Sequence, residues 1–207
     1  MNNICALVLA AGKSERMGRP KMVLPFGRQT IIETVIDNIM KAGISDILVV
    51  TGSDRDAVES ACSNKPVAIC YNPKYEEGMH SSVVCGFSYL PEITRAVLVF
   101  LGDQPFIPFE VIQTVMHTWQ QSGKGIIIPT YQGKRGHPTL FDFRMRDEIL
   151  HLDPTAGLRS VIRKFPEEML EIEVNFPQIL KDIDTKIDYL NQLNQMNEQW
   201  KKKSDLN

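Results

Sequence analysis

The sequence predicts an α/β sandwich, with helices on both faces of a mainly parallel sheet and one small antiparallel extension. β-prone apolar runs alternate with segments of helical periodicity along almost the whole chain. The run Ala96–Leu101 is apolar at every position, so both of its faces are covered, as in a parallel sheet. The first run, Ile4–Leu9, empties into a small-residue, cationic loop, where such sheets hold ligands.

The elements follow in order. After the opening strand and loop, Met22 to Gly27 reads as a tight connection. Thr30-Ile31-Ile32-Glu33 is a capping-box pattern, and Ile31, Ile32, Val35, Ile36, Ile39 and Met40 recur at helical spacing until Gly43. Asp46–Thr51 is a second strand, Ser53–Cys62 a short helix and Val67–Tyr71 a third strand. A loop over Asn72–His80 leads to a helix starting at Ser81-Ser82. Strand Ala96–Leu101 ends in Gly102-Asp103-Gln104-Pro105, and Pro108 suits the first turn of a helix to about Gln120. Ile126–Thr130 is a strand, Tyr131–His137 a hairpin loop, and Pro138–Phe141 the antiparallel strand. Helices at Arg144–Leu150 and Gly157–Lys164 flank Asp153-Pro154, and Leu170–Val174 is the last strand. A terminal helix places Ile187, Leu190, Leu193 and Met196 on one side.

The 207 residues suit one domain over 1–195, with a helix end and tail over 196–207. A net charge of −2 gives no global pull toward nucleic acid or an anionic membrane, so anion binding must be local. The longest apolar run, Ile4–Ala11, is too short to cross a bilayer, and Met-Asn-Asn lacks the basic start of a signal peptide. Cys5, Cys62, Cys70 and Cys85 show no metal spacing and read as reduced thiols in a cytoplasmic protein.

The opening loop carries the chemistry. Lys13, Arg16, Arg19 and Lys21 against Glu15 give it a local charge of +3. Small residues let backbone amides approach phosphate oxygens, which the cations neutralise. Walker A is absent, because Gly12 and Gly18 have the wrong spacing and Arg19 follows. Gly-x-Gly-x-x-Gly is absent too. Asp103 follows the most apolar strand, so it falls at the sheet's carboxyl edge beside this loop. It reads as a Mg²⁺ ligand or as a cap of the next helix. Asp184 reads as a metal ligand or as an N-cap, and it shares an extended face with Asp182. Gly136-His137-Pro138 reads as a turn, Lys134 as a hairpin tip, and Ser81 and Ser82 as caps or ligand donors.

The pattern Leu-Ala-Ala-Gly-x-Ser-x-Arg-Met-Gly-x-x-Lys from Leu9 to Lys21 resembles the signature of the MobA-like NTP transferase family. That family lies within the nucleotidyltransferase superfamily, with molybdenum-cofactor guanylyl- and cytidylyltransferases and sugar-phosphate nucleotidyltransferases. Gly102-Asp103, Gly78-Met79-His80-Ser81-Ser82, Gly136-His137-Pro138 and Asp182-Ile183-Asp184-Thr185 through Asp188 extend the resemblance in order. It breaks at Asp153–Arg159, where cytidylyltransferases often carry Gly-Asp-x-Gly-Ala-Arg.

The resemblance implies a three-layer, Rossmann-like fold of the nucleotide-diphospho-sugar transferase kind. It implies Lys21 and Arg16 as catalytic groups, and Leu9, Ala10, Ala11, Gly12, Ser14, Arg16, Met17, Gly18, Lys21 and Ser82 around the nucleotide. It further implies Asp103 and Asp184 holding Mg²⁺, with Asp182 and Asp188 structural. Gly136, His137 and Pro138 would line the acceptor side, with Arg135 and Lys134 able to meet the acceptor's phosphate. The implied reaction transfers a nucleoside monophosphate, CMP from CTP, to the phosphate of a molybdopterin-type cofactor. The implied protein partner is a molybdenum hydroxylase of the xanthine-dehydrogenase kind, or its chaperone. Ala11 stands where guanylyltransferases carry Gly, which implies CTP over GTP. The rivals are a sugar-phosphate or alcohol-phosphate transferase on the same scaffold and a non-catalytic cofactor carrier.

Overall fold

A computed structural model describes residues 3–193 of the chain. β1 (Ile4–Ala10) leads through the opening loop to a small hairpin, β2 (Pro25–Phe26) and β3 (Gln29–Thr30). This hairpin lies within the predicted tight connection, and Gly27 at φ 67° turns it. α1 (Ile31–Lys41) starts at Thr30, whose hydroxyl accepts from the Glu33 N–H while the Glu33 carboxylate accepts from the Thr30 N–H. The predicted capping box is therefore present.

β4 (Asp46–Thr51), α2 (Arg55–Cys62) and β5 (Ala68–Tyr71) follow, then α3 (Met79–Tyr89) and β6 (Ala96–Leu101). α3 begins two residues before the predicted Ser81, because Gly78 at φ 104° makes the entry turn. α4 (Phe109–Ser122) has Pro108 as its N-cap, one position outside the predicted first turn. β7 (Ile126–Tyr131) turns through Gln132-Gly133 into β8 (Lys134–Arg135), and β9 (Thr139–Asp142) runs antiparallel to both β6 and β7. α5 (Arg146–Leu150) starts later than predicted, because a 3-10 turn over Phe143–Met145 precedes it. α6 (Leu158–Lys164) and β10 (Met169–Glu173) complete the labelled elements, and residues 186–193 are helical.

The sheet order is β10-β7-β9-β6-β1-β4-β5, with β8 on β7. β1 pairs in parallel with both β4 and β6, so Leu9 lies between Val50 and Leu101. Chain order runs outward from β1 through β4 to β5, then returns to β6 on the other side of β1. That reversal is a topological switch point, and the loops after β1 and β6 meet at its carboxyl edge.

Alternation within the strands builds the layers. Ile4, Ala6, Val8 and Ala10 of β1 face the core under α1, α2 and α4. Cys5, Leu7 and Leu9 face the core under α3, α5 and α6. All four thiols are free, three of them buried, and burial pushes Cys62 up to about 11. A third, smaller cluster joins Leu24, Phe26, Ile31, Ile183 and Tyr189, with Met17, Phe106 and Leu193 packed on it.

This third cluster corrects the predicted stripe of the terminal helix. Ile187 and Leu190 are 70% and 47% exposed, and Tyr189 is the buried anchor, its hydroxyl donating to the Pro25 carbonyl at 2.5 Å. The helix is pinned from one end against the β2–β3 hairpin, so its contact face is set by Tyr189 and Leu193. Met196 and the predicted tail, 196–207, lie outside the described residues.

Gly86 of α3 faces β1. A Cβ there would stand 2.4 Å from Leu7 Cδ1, and Leu7 is fully buried. Overpacking costs about 1–3 kcal/mol, against roughly 1 kcal/mol of helix propensity gained by Gly→Ala. Gly86→Ala is therefore expected to lower the urea midpoint without changing the m-value. A midpoint at or above wild type would show that the β1–α3 contact yields freely.

Candidate active site

The loop after β1 is shaped by two left-handed residues, Ser14 at φ 53° and Gly18 at φ 64°. The Ser14 hydroxyl donates to Asp54 Oδ2 at 3.1 Å and accepts from the Lys21 N–H at 3.1 Å. Its side chain thus ties the loop to the start of α2. Met17 packs into the third hydrophobic cluster, away from the cavity. Ala10 ends β1 inside the core. The loop then closes with a 3-10 turn, Lys21–Val23, which folds Lys21 back over the sheet edge.

Lys21 is 8% exposed. Its ammonium donates to Asp103 Oδ2 at 2.5 Å and to Asp184 Oδ1 at 2.9 Å. Arg16 Nη2 donates to Asp184 Oδ2 at 2.8 Å from the solvent side. Burial alone would lower the Lys21 pKa, but the two carboxylates more than offset it and hold it above its ordinary value. Burial pushes Asp184 up, and Lys21 with Arg16 outweighs that and holds it below the usual range. Asp182 lacks such a partner, and burial with the neighbouring Asp184 and Asp103 raises it.

Both helix-cap readings of these carboxylates fail. Thr185 and Asp188 form a reciprocal box, Asp188 accepting from the Thr185 N–H at 2.8 Å and Thr185 accepting from the Asp188 N–H at 3.2 Å. Asp184 therefore sits one residue before the cap, and its carboxylate meets Lys21 and Arg16 instead of the helix. Asp103 caps no helix: Oδ2 meets Lys21, and buried Oδ1 has no hydrogen-bond partner among the described residues. The Ile183 N–H donates to the Asp103 carbonyl at 3.0 Å, bringing the two carboxylate segments together. Gly102 makes room for the turn, since a Cβ would meet the Leu9 carbonyl and Met22 sulfur at 3.1 Å.

A pocket of ≈ 360 Å³ opens over this cluster, lined by Leu9, Ala11, Gly12, Arg16, Lys21, Ser82 and both aspartates among others. Met79, which the resemblance of Gly78–Ser82 places near the nucleotide, also lines it, as does Tyr75, for which the sequence pattern gave no signal. Asn72 was also missed, since Asn-Pro after a strand reads only as a turn. It is buried and donates to the hydroxyls of Ser81 and Ser82 at 2.9 and 3.0 Å, so it fixes the start of α3 at the pocket wall. Gly52 lets this wall close, because a Cβ there would stand 2.7 Å from the Cβ atoms of Ala11 and Tyr75.

A second cleft, ≈ 760 Å³, adjoins the pocket through Gly78 and Met79, which line both. Gly136 and His137 line it, and Pro138 is buried beside them. Gly136 is glycine because Ile179 presses on it, a Cβ falling 2.6 Å from the Ile179 carbonyl oxygen. Burial pushes the His137 imidazole down to about 4, against a smaller upward pull from Asp103. Arg135 is already committed to Glu171 at 2.6 Å, and Lys134 is exposed on the hairpin.

Residues 6–170 match the model of the MobA-like NTP transferase domain. The chain belongs to the MobA-like NTP transferase family. It is a nucleotidyltransferase, built on the α/β fold of its structural neighbours. It is 28% identical over 192 residues to the molybdenum cofactor cytidylyltransferase of Escherichia coli (strain K12), covering 92% of this chain and 95% of that protein. It is 26% identical over 191 residues to the nicotine blue oxidoreductase of Paenarthrobacter nicotinovorans, covering 88% and 92%. A crystal structure from Mycobacterium tuberculosis H37Rv superposes with a TM-score of 0.81 at 25% identity, covering 92% of this chain and 97% of that one. No helix among the described residues of this transferase is long and apolar enough to cross a membrane.

Two outcomes follow from this geometry. Removing the shared cation leaves two carboxylates facing each other, and breaking a buried pair costs about 3–5 kcal/mol. With Asp184 partly exposed, Lys21→Met is expected to lose about 3 kcal/mol in chemical denaturation, and Asp103→Asn in the same chain to recover part of it. A Lys21→Met variant as stable as wild type would show that the clasp is neutral. His137 titrates at about 4 folded, against 6.5 unfolded. The unfolded chain therefore binds the extra proton first, and stability falls as pH drops from 6.5 toward 4. His137→Gln should flatten that limb of the stability–pH curve; an unchanged slope would place the titration elsewhere.

Proposed function

We propose that this nucleotidyltransferase moves CMP from CTP to the phosphate of a molybdopterin-type cofactor, with Mg²⁺, and releases pyrophosphate. The observation that carries the reading is the Lys21 clasp on Asp103 and Asp184 beneath the small-residue loop, with Asp103 Oδ1 left without a partner. The similarity to the E. coli cytidylyltransferase over nearly the full length supports the choice of acceptor.

The residues present fit a divalent ion. Mg²⁺ takes one or two carboxylates and fills the rest with phosphate oxygens and water, and no larger metal-ligand cluster occurs among the described residues. Lys21 and Arg16 against Asp103, Asp182 and Asp184 leave the cluster net negative, so an added cation is favoured. Asp103 and Asp184 would hold the ion, which when bound neutralises charge on the α-phosphate.

The rest of the work falls to the chain itself. A phosphate oxygen of the acceptor bonds to the α-phosphorus, the bond from that phosphorus to the α,β-bridging oxygen breaks, and pyrophosphate leaves with the electron pair. No side chain becomes covalently attached. Lys21 presents its ammonium where charge gathers on the α-phosphoryl oxygens. The Ala11–Ser14 backbone and Arg16 face the outer phosphates. Ser82, its hydroxyl already accepting from Asn72, keeps its proton to donate to the base or ribose. His137 stays neutral near neutral pH and takes no proton from the acceptor. The cytidylylated product suits a molybdenum hydroxylase of the xanthine-dehydrogenase kind as its receiver.

Pyrophosphate release with each of four nucleoside triphosphates, with and without molybdenum cofactor, tests the reading. Ala11 and Tyr75 narrow the pocket, and a methyl-sized difference is worth ~1–3 kcal/mol, so CTP should exceed GTP by roughly 10–200-fold. Asp103→Asn should lower kcat by ~10²–10³. Equal turnover of GTP would refute the base assignment. Turnover with a sugar phosphate and none with the cofactor would move the enzyme to the rival acceptor class.

A further inference from the structure

The acceptor cleft carries two cations, Arg159 and Arg163, that no described residue pairs. Arg159 and Arg163 lie four residues apart on α6, hence on one face, and both line the cleft. Neither makes an ion pair or a side-chain hydrogen bond among the described residues. The cations around them are all engaged: Arg135 with Glu171, Arg144 with Glu168, Arg146 with Glu92 and Lys164 with Glu148. Like charges at this spacing repel. The only carboxylate on the cleft wall is Glu77, which reaches neither arginine.

Neither arginine lines the nucleotide pocket, so they do not serve the triphosphate. The cleft wall also carries apolar side chains, among them Val83, Ile128 and Phe141. His137 lines the same cleft, and the Asp103 charge acts on it. The cleft therefore combines an apolar wall, a residue under the influence of the clasp, and two cations.

We infer that Arg159 and Arg163 form an anion subsite for the acceptor, distinct from the site of the attacking phosphate. The acceptor class is then a molecule with two anionic groups joined by a body with an apolar face. One group attacks the α-phosphorus, and the other is gripped by the two guanidinium groups, whose planar forks suit oxyanions. This deepens the proposed function and rests on it only in taking this cleft as the acceptor side. Arg135 is not part of this subsite, since it is held by Glu171.

The test separates the subsite from the acceptor's identity. With the nucleotide pocket filled by CTP, inorganic phosphate is titrated into the full chain and followed by backbone amide NMR. Saturable shifts are expected at residues 157–163, weakened about tenfold in Arg159→Gln or Arg163→Gln, as for loss of one charge-assisted bond, and lost in the double variant. In steady-state assays with molybdenum cofactor, the double variant should raise the acceptor KM about tenfold or more and leave the CTP KM unchanged. No saturable shift, or shifts that persist in the double variant, would overturn the subsite. Phosphate binding with an unaltered acceptor KM would overturn its role in acceptor recognition. Phosphate binding with no turnover of the cofactor by wild type would leave the subsite standing and remove the proposed acceptor.

Discussion

One ammonium holds the site together. Lys21 meets Asp103 82 residues away and Asp184 163 residues away, and Arg16 on Asp184 and the Ile183 N–H on the Asp103 carbonyl tie the same loops. The clasp is mostly buried, so its attraction is weakly screened and its desolvation is costly. Such an arrangement is poor value as a stabiliser. Its worth lies in holding two carboxylates near each other at neutral pH, a geometry they would otherwise resist. One carboxylate oxygen, Asp103 Oδ1, is buried without a hydrogen-bond partner among the described residues.

The clasp depends in turn on packing outside the two main layers. Met17, Phe26, Ile183 and Tyr189 form a third cluster, with Phe26 edge-on to Phe106 at 5.3 Å. Ile183 is fully buried, so its neighbours Asp182 and Asp184 are both turned toward the pocket. Met17 anchors the opening loop in the same cluster. A family-signature residue thus acts through packing, and it shapes the pocket without lining it. Asn72 does the equivalent on the opposite wall by fixing Ser81 and Ser82.

Pocket and cleft differ in what lines them. The pocket is lined by the small residues Ala11, Gly12 and Ser82, by Tyr75 and Met79, and by the clasp. The cleft is larger, partly apolar, and carries Arg159 and Arg163. They join at Gly78 and Met79, where α3 begins, so the helix entry separates the two cavities. The departure of Asp153–Arg159 from the usual cytidylyltransferase pattern falls on the cleft and touches none of the residues that line the pocket over the clasp.

The layered fold was legible because periodicity is local. Alternation in β1, the unbroken apolar run of β6 and the Thr30–Glu33 box each report their own environment within a few residues. The opening loop and Gly102-Asp103 were legible for the same reason: a strand end and its turn are contiguous in sequence. Tertiary structure alone decided the rest. Thr185 rather than Asp184 caps the helix over residues 186–193, β9 inserts between β6 and β7, Tyr189 rather than Ile187 is buried, and Arg159 and Arg163 have no partner among the described residues. Each of these is settled by which distant segment lies alongside, and no short window of sequence encodes that. The chain itself specified which residues could bear charge at the sheet edge; the order of the strands decided which charges meet.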